Sequence, residues 1–128
     1  MRIPRDRKYT GDHAWVKIEG NQATVGITYF AQHELGDVVF AELPELEEEF
    51  EEGDAFAVLE SVKAAADVYA PLAGVVVAVN EELEDDPSLI NSDPYGDGWL
   101  AVFELDDDFD SSGLMDPREY QEYAAEEE

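Results

Sequence analysis

Glu60-Ser61-Val62-Lys63-Ala64-Ala65-Ala66-Asp67-Val68-Tyr69-Ala70-Pro71 is the stretch on which the architecture turns. Residues 55–60 and 64–69 both carry strand patterns, so the chain between them has to reverse direction. That sets Lys63 at or beside a hairpin tip. Ala64, Ala65 and Ala66 leave it sterically open, and it is the only lysine after residue 17. A solvated surface lysine is the ordinary reading of such a residue. In a chain that otherwise avoids lysine, one kept in a turn of small residues suggests a covalent role instead.

Downstream, 70–74 (Ala-Pro-Leu-Ala-Gly) forms a bend before a strand over Gly74–Val79. Asn80 reads as the cap of a short helix with Glu81 and Glu82 in its first turn, ended by Pro87. Residues 91–98 are dense in turn formers and read as a loop, and 99–105 alternate as a last strand. Asp116, Pro117 and Glu119 have the spacing of a capping box, opening a helix with Tyr120, Tyr123 and Ala124 on one side. Glu126, Glu127 and Glu128 stand at the wrong end of that helix dipole, so its last turn should fray.

Upstream, 13–18 and 22–27 are strand-like runs joined at Gly20-Asn21, a hairpin signal. Thr28 can cap a helix over 29–35 that stops at Gly36. A strand over 38–43 ends at Pro44; 45–52 is apolar only at Leu46 and Phe50 and reads as an exposed turn or an acidic loop. These pieces predict a small, mostly β domain with short helices, built as two packed sheets or a flattened barrel. At 128 residues one domain spanning 1–128 is expected.

The chain has 33 Asp and Glu against 7 Lys and Arg, a formal net charge of −26. Nucleic acid and anionic membrane surfaces are poor partners for such a balance, since both are bound through clustered Lys and Arg. Hydrophobic residues still make up 45% of the chain, enough for a core. The acidity fits a protein adapted to high salt: at about 1 M the Debye length is only about 3 Å, and self-repulsion is screened. Without cysteine there is no disulfide, thiolate ligand or thiol nucleophile, and any redox chemistry has to be borrowed. No apolar run is long enough to cross a bilayer, and no apolar stretch follows Arg2, Arg5 and Arg7 to make a secretory signal. A soluble, cytoplasmic protein is expected.

The segment 60–71 with Gly74 resembles the lipoyl-attachment segment of the glycine cleavage system H protein family. The likeness runs through most of the chain: Tyr9-Thr10, His13 with Trp15-Val16, 23–28, Ala31-Gln32, Leu35-Gly36-Asp37, Glu42-Leu43-Pro44, Val79-Asn80 and the run 91–100 follow in the family's order. The resemblance implies a lipoyl- or biotinyl-type barrel-sandwich hybrid of two small sheets with a C-terminal helix. It implies lipoic acid amide-linked to Lys63 on the hairpin formed by Glu60, Ser61, Val62 and Ala64. It also implies a non-catalytic carrier that takes the aminomethyl group of glycine from a pyridoxal-phosphate glycine decarboxylase to a tetrahydrofolate-dependent aminomethyltransferase. A dihydrolipoyl dehydrogenase then reoxidises the arm, and a lipoate-attaching enzyme loads it. A monomer suits a shuttle that visits several enzymes.

The family further suggests that the loaded arm folds into a cleft where a carboxylate pairs with the amine. Asp67, two strand-steps beyond Lys63, is a candidate for that role. The chain departs from the family's common His-Glu-Trp at His13-Ala14-Trp15, and Asp12 is a candidate replacement for the missing acid, since alternate residues share a strand face.

Other signals carry less. Residues 108–119 match the spacing of a calcium loop, but a strand pattern precedes them and Asp116 and Glu119 belong to a helix cap. His13 and His33 lie in different elements with no cysteine to join them, so no metal site is expected and each reads as half-buried or surface. A biotin carrier typically has methionines beside its lysine, where Val62 and Ala64 stand here. A lipoyl module of a 2-oxoacid dehydrogenase is normally tethered through Pro- and Ala-rich linkers, and the run 91–100 belongs to the H-protein pattern. A protein that relays lipoyl groups to other carriers and an unmodified acidic binding module stay open as alternatives.

Overall fold

The structure is a computed structural model and describes residues 3–127. Lys8–Tyr9 (β1), Ala14–Glu19 (β2) and Gln22–Ile27 (β3) form an antiparallel meander in which Glu19 pairs with Gln22 across Gly20-Asn21. Gly20 supplies the positive φ, +64°, that lets a two-residue loop follow the strand twist. The Thr28 hydroxyl accepts from the Ala31 N–H at 3.2 Å and opens Tyr29–Leu35 (α1), which stops at Gly36 with φ +83°. Val38–Glu42 (β4), Glu49–Phe50 (β5), Ala55–Ser61 (β6), Ala65–Tyr69 (β7) and Gly74–Val79 (β8) follow. Glu82–Asp85 (α2), Leu89–Ser92 (α3), Ala101–Glu104 (β9) and Pro117–Glu127 (α4) complete the order.

The strands make two antiparallel sheets, one of six in the order β1-β2-β3-β9-β8-β5 and one of three in the order β4-β6-β7. This is the expected mostly β fold of two sheets with a C-terminal helix. Their facing sides close one apolar cluster. Val16, Val25, Val76 and Phe103 come from the larger sheet, and Ala41, Leu59 and Val68 from the smaller. Phe56 meets Phe103 edge-on at 5.1 Å between ring centroids, a favoured aromatic geometry. Each such large side chain contributes about 1.5–3 kcal/mol by leaving water.

A second cluster closes the N- and C-terminal segments onto the fold. Trp15 lies over Gly26 across the β2–β3 pair, where a Cβ would come within 2.7 Å of the indole. Tyr9 stacks on Tyr120 of α4 at 4.7 Å, and the Tyr120 hydroxyl lies 2.8 Å from His13 Nδ1 and 2.7 Å from Thr28 Oγ1. Burial pushes the hydroxyls of Tyr9 and Tyr120 well above the ordinary tyrosine range. The capping box of α4 forms as its spacing predicts: the Glu119 N–H donates to Asp116 Oδ1 at 2.8 Å and the Asp116 N–H to Glu119 Oε1 at 3.2 Å.

Several expectations are corrected. Asn80 does not cap α2 with its side chain; buried, it donates to the carbonyls of Asp97 and Trp99 at 2.7 and 2.8 Å, and α2 starts from Glu81. The stretch 91–98 is not all loop, since Asn91 and Ser92 belong to α3. The acidic run 45–52 holds β5, paired with β8, and β1 was not anticipated. Helix α4 runs on to Glu127, and of the last turn expected to fray, Glu128 lies outside the described residues. As the sequence leads one to expect, the segment 108–113 follows a strand, β9, and not a helix. No helix among the described residues is long and apolar enough to cross a membrane.

Candidate functional site

Strands β6 and β7 pair from Ala55↔Tyr69 to Glu60↔Ala65, and the four residues 61–64 close the hairpin. Ser61 makes the turn rigid. Its N–H donates to the Ala64 carbonyl at 2.7 Å, and its hydroxyl accepts from the N–H groups of Lys63 and Ala64 at 3.3 and 3.1 Å. A serine does this because its short side chain reaches backbone two and three residues on. The Val62 N–H donates to the Asp37 carbonyl at 3.2 Å, so the tip is also tied to the segment between α1 and β4.

Lys63 projects from this turn, exposed, and takes part in no ion pair among the described residues; the three present join Arg7 and Lys17 to Asp6 and Arg118 to Glu122. Its stem lies across Gly36. A Cβ built there would sit 3.2 Å from Lys63 Cε and 3.8 Å from Nζ. Gly36 is therefore a bare backbone saddle under the lysine.

The saddle is held from below by Asn91 of α3. Its amide nitrogen donates to Gln32 Oε1 at 3.0 Å and to the Gly36 carbonyl at 2.9 Å, and its Oδ1 accepts from the Val38 N–H at 2.9 Å. Three hydrogen bonds from one side chain fix the end of α1 and the start of β4 together, which is the ground the hairpin tip leans on. Sequence reasoning read Gly36 as a helix stop and Asn91 as part of a loop. Nothing local to Asn91 signals this role, because its partners lie 53 to 59 residues away.

The remaining candidates fall in different places. Glu60 is exposed at the end of β6 opposite Ala65, and Val62 and Ala64 are exposed in the turn. Asp67 is exposed on β7, paired with Val58. Its expected position relative to Lys63 rested on strand alternation, but Lys63 lies in the turn before β7 begins, so alternation does not relate the two. Asp12 likewise lies in the turn before β2, where its N–H donates to Thr10 Oγ1 at 3.3 Å, and shares no strand face with Ala14, which is buried. Asp12 lines a cleft of about 140 Å³ with Glu52, Ala70, Pro71, Leu72 and Asp110. That cleft adjoins the end of the hairpin remote from Lys63, with Asp67 between the two. His33 is exposed and His13 half-buried, and no group of three metal-ligating side chains occurs among the described residues.

Chemically, the site offers a primary amine on a short, rigid, protruding loop with small neighbours. Such an amine is open to acylation from solvent, and acylation would remove a charge that makes no ion pair among the described residues.

Comparison with known proteins agrees with this geometry. Residues 7–127 match the family model described as Glycine cleavage H-protein. The chain is 54% identical to a glycine cleavage system H protein of Thermotoga maritima, over 94% of this chain and 98% of that one. It is 48% identical to one of Carboxydothermus hydrogenoformans, over 98% and 96%. Among solved structures it is similar to the crystal structure of a glycine cleavage system H protein from Mycobacterium marinum, with a TM-score of 0.86 and 38% identity over 98% of each chain.

Proposed function

Since the chain belongs to the glycine cleavage H-protein family, we propose that Lys63 is the residue that carries its lipoyl group. The protein is a lipoyl carrier of glycine cleavage. The observation that supports Lys63 as the attachment point is the tip itself: an exposed lysine in no ion pair among the described residues, on a turn that Ser61 holds through four hydrogen bonds. When bound, the lipoyl group supplies a dithiolane, the two-electron sulfur couple that a cysteine-free chain lacks.

The chain's own part is to present, orient and shield. The β6–β7 hairpin and the Gly36 saddle present Nζ; Val62 and Ala64 keep the approach uncluttered. Asp67 and Asp12 are the candidate carboxylates for a cationic amine brought back to the carrier. From the tip to the cleft at 70–72 the hairpin runs about 17 Å at about 3.3 Å per residue. A lysine extended by an eight-carbon acyl chain reaches about 15 Å at about 1.3 Å per bond, a comparable length. Asp67 lies on the way and Asp12 at the far end. Ala14 contributes no carboxylate, so the storage site rests on those two acids.

In this reading the carrier is non-catalytic and monomeric. It visits glycine decarboxylase, aminomethyltransferase and dihydrolipoyl dehydrogenase in turn after a lipoate-attaching enzyme has loaded it. Tethering raises the local concentration of the reactive end wherever the arm reaches. The charge of −26 is an adaptation to high salt in the same reading.

The test is the intact mass of the protein and of Lys63→Ala after incubation with lipoate, ATP and a lipoate ligase in high salt. A gain of one lipoyl group by the parent and none by the variant is expected, followed by activity of the loaded parent in the glycine decarboxylase exchange reaction. A variant that still gains mass would move the attachment to Lys8 or Lys17. A folded parent that gains none, with the ligase active on another carrier, would favour an unmodified acidic binding module.

A further inference from the structure

Strand β4 carries an irregularity that places two apolar side chains in solvent beside the lysine. Its partner register jumps from Val38↔Ser61 to Phe40↔Glu60, so Val39 is an extra residue with no partner of its own on β6. A bulge of this kind breaks the in-out alternation and re-aims a side chain. Val38 is buried, and the next two residues both face water: Val39 is 54% and Phe40 52% exposed. Val62, tied to Asp37 at the adjoining tip, is 73% exposed. Exposed Glu34 of α1, Asp37 between α1 and β4, Glu42 of β4 and Glu60 of β6 stand in the neighbouring segments.

We propose that Val39, Phe40 and Val62 form the docking surface for the enzyme that acylates Lys63, a partner with an apolar depression bordered by Lys and Arg beside its acyl-transfer centre. The inference rests on the carrier reading of Lys63. Reach singles out this occupant among the partners. In loading, Nζ of the unmodified lysine attacks the carboxyl carbon of lipoyl adenylate; the amide C–N bond forms, the C–O bond to AMP breaks, and the ammonium gives up two protons. The lipoyl adenylate comes from lipoate and ATP with release of pyrophosphate. The five bonds from Cα to Nζ span only about 6 Å, so the loading enzyme must close over the ground around the tip. An enzyme that works on the far end of the arm can have its reacting centre as much as about 15 Å away, so covering the patch is not forced on it by reach. Half-exposed apolar groups are what such an enzyme gains by covering, while the acids around them complement a basic border and speed encounter.

The test compares the parent with the double variant Val39→Ser, Phe40→Ser, each as full-length protein checked for fold by melting. Loading by a lipoate ligase is measured at varied carrier concentration. Glycine decarboxylase exchange is then measured on chemically lipoylated samples of both. The proposal expects kcat/KM for loading to fall about tenfold or more, mostly through KM, with exchange on the loaded carrier within about twofold. Val77→Ser, an exposed valine in the other sheet, should load as the parent does. Val39→Ser alone, at the half-exposed bulge residue with no partner on β6, should show the same selective loss if the double variant melts early. Unchanged loading, or an equal loss in loading and exchange, would overturn the proposal. A parent that is never loaded while the ligase loads another carrier would overturn the carrier reading instead.

Discussion

Gly36→Ala tests the saddle under Lys63. Gly36 has φ +83° and ψ −163°, a region reserved for glycine, and it ends α1 by donating its N–H to the Gln32 carbonyl at 3.0 Å. An alanine forced there costs about 1–3 kcal/mol of backbone strain. Its narrower unfolded ensemble returns about 0.4–1 kcal/mol. The net loss is about 1–2 kcal/mol. For 128 residues, at about 2.1 cal/mol/K each, that lowers Tm by about 4–7 °C. The new Cβ would also sit 3.2 Å from Lys63 Cε, but a lysine stem is flexible and can give by a few tenths of an ångström. Gly36→Ala, Lys63→Ala should therefore melt within about 0.5 kcal/mol of Gly36→Ala alone. Gly53→Ala, at φ +89° with nothing within 4 Å, should lose stability through the backbone alone. Thermal melts of the parent and these three variants in high KCl decide it. A Gly36→Ala protein that melts with the parent would refute the strain argument, and full recovery in the double variant would show that contact with the lysine is the cost.

Alkaline pH should weaken the fold through its buried tyrosines. Their folded pKa values are raised by burial, so stability is level below about pH 10, where the unfolded chain begins to lose its phenol protons, and falls above it. The slope is up to about 1.4 kcal/mol per pH unit for each of Tyr9 and Tyr120, and Tyr120→Phe should remove its share; urea titrations from pH 8 to 12 would show a level profile if this is wrong. Raising KCl from dilute buffer should raise Tm by screening the net charge of −26, and a Tm that stays flat or falls removes the high-salt reading. Leu59→Ala, at a residue 1% exposed between the sheets, should cost about 2–5 kcal/mol in urea melts. Lys63→Ala should stay within about 0.5 kcal/mol of the parent, and a larger loss would mean that the lysine has a structural partner.

What lay within a few residues of itself was legible in the chain. Thr28 and Gly36 bound α1, Gly20 turns the first hairpin, and Asp116 with Glu119 opens α4, because a cap or a turn is satisfied by groups one to four residues away. Lys63 at a reversal was legible for the same reason: two strand patterns with three residues between them leave few other places for it. Alternation failed where a residue lies outside the strand it was counted from, as Asp12 and Lys63 do, and the bulge at Val39 was not legible because it depends on the pairing of β4 with β6. The strands β1 and β5 have two residues each, too few to carry a period, and exist because a neighbouring strand pairs with them.

By itself, then, the sequence determined the hairpins, the caps, the charge and the one lysine exposed at a turn, all set by local geometry and composition. Only the tertiary structure decided what those features rest on. Asn80 is used on the carbonyls of Asp97 and Trp99 and not on a helix cap; Asn91 clamps Gly36 from another helix; Lys63 lies across that glycine; and Asp12 stands by a cleft at the far end of the hairpin. A buried amide must find its partners wherever packing brings them, and that choice is made by how the two sheets and the short helices close together, a relation no local pattern encodes.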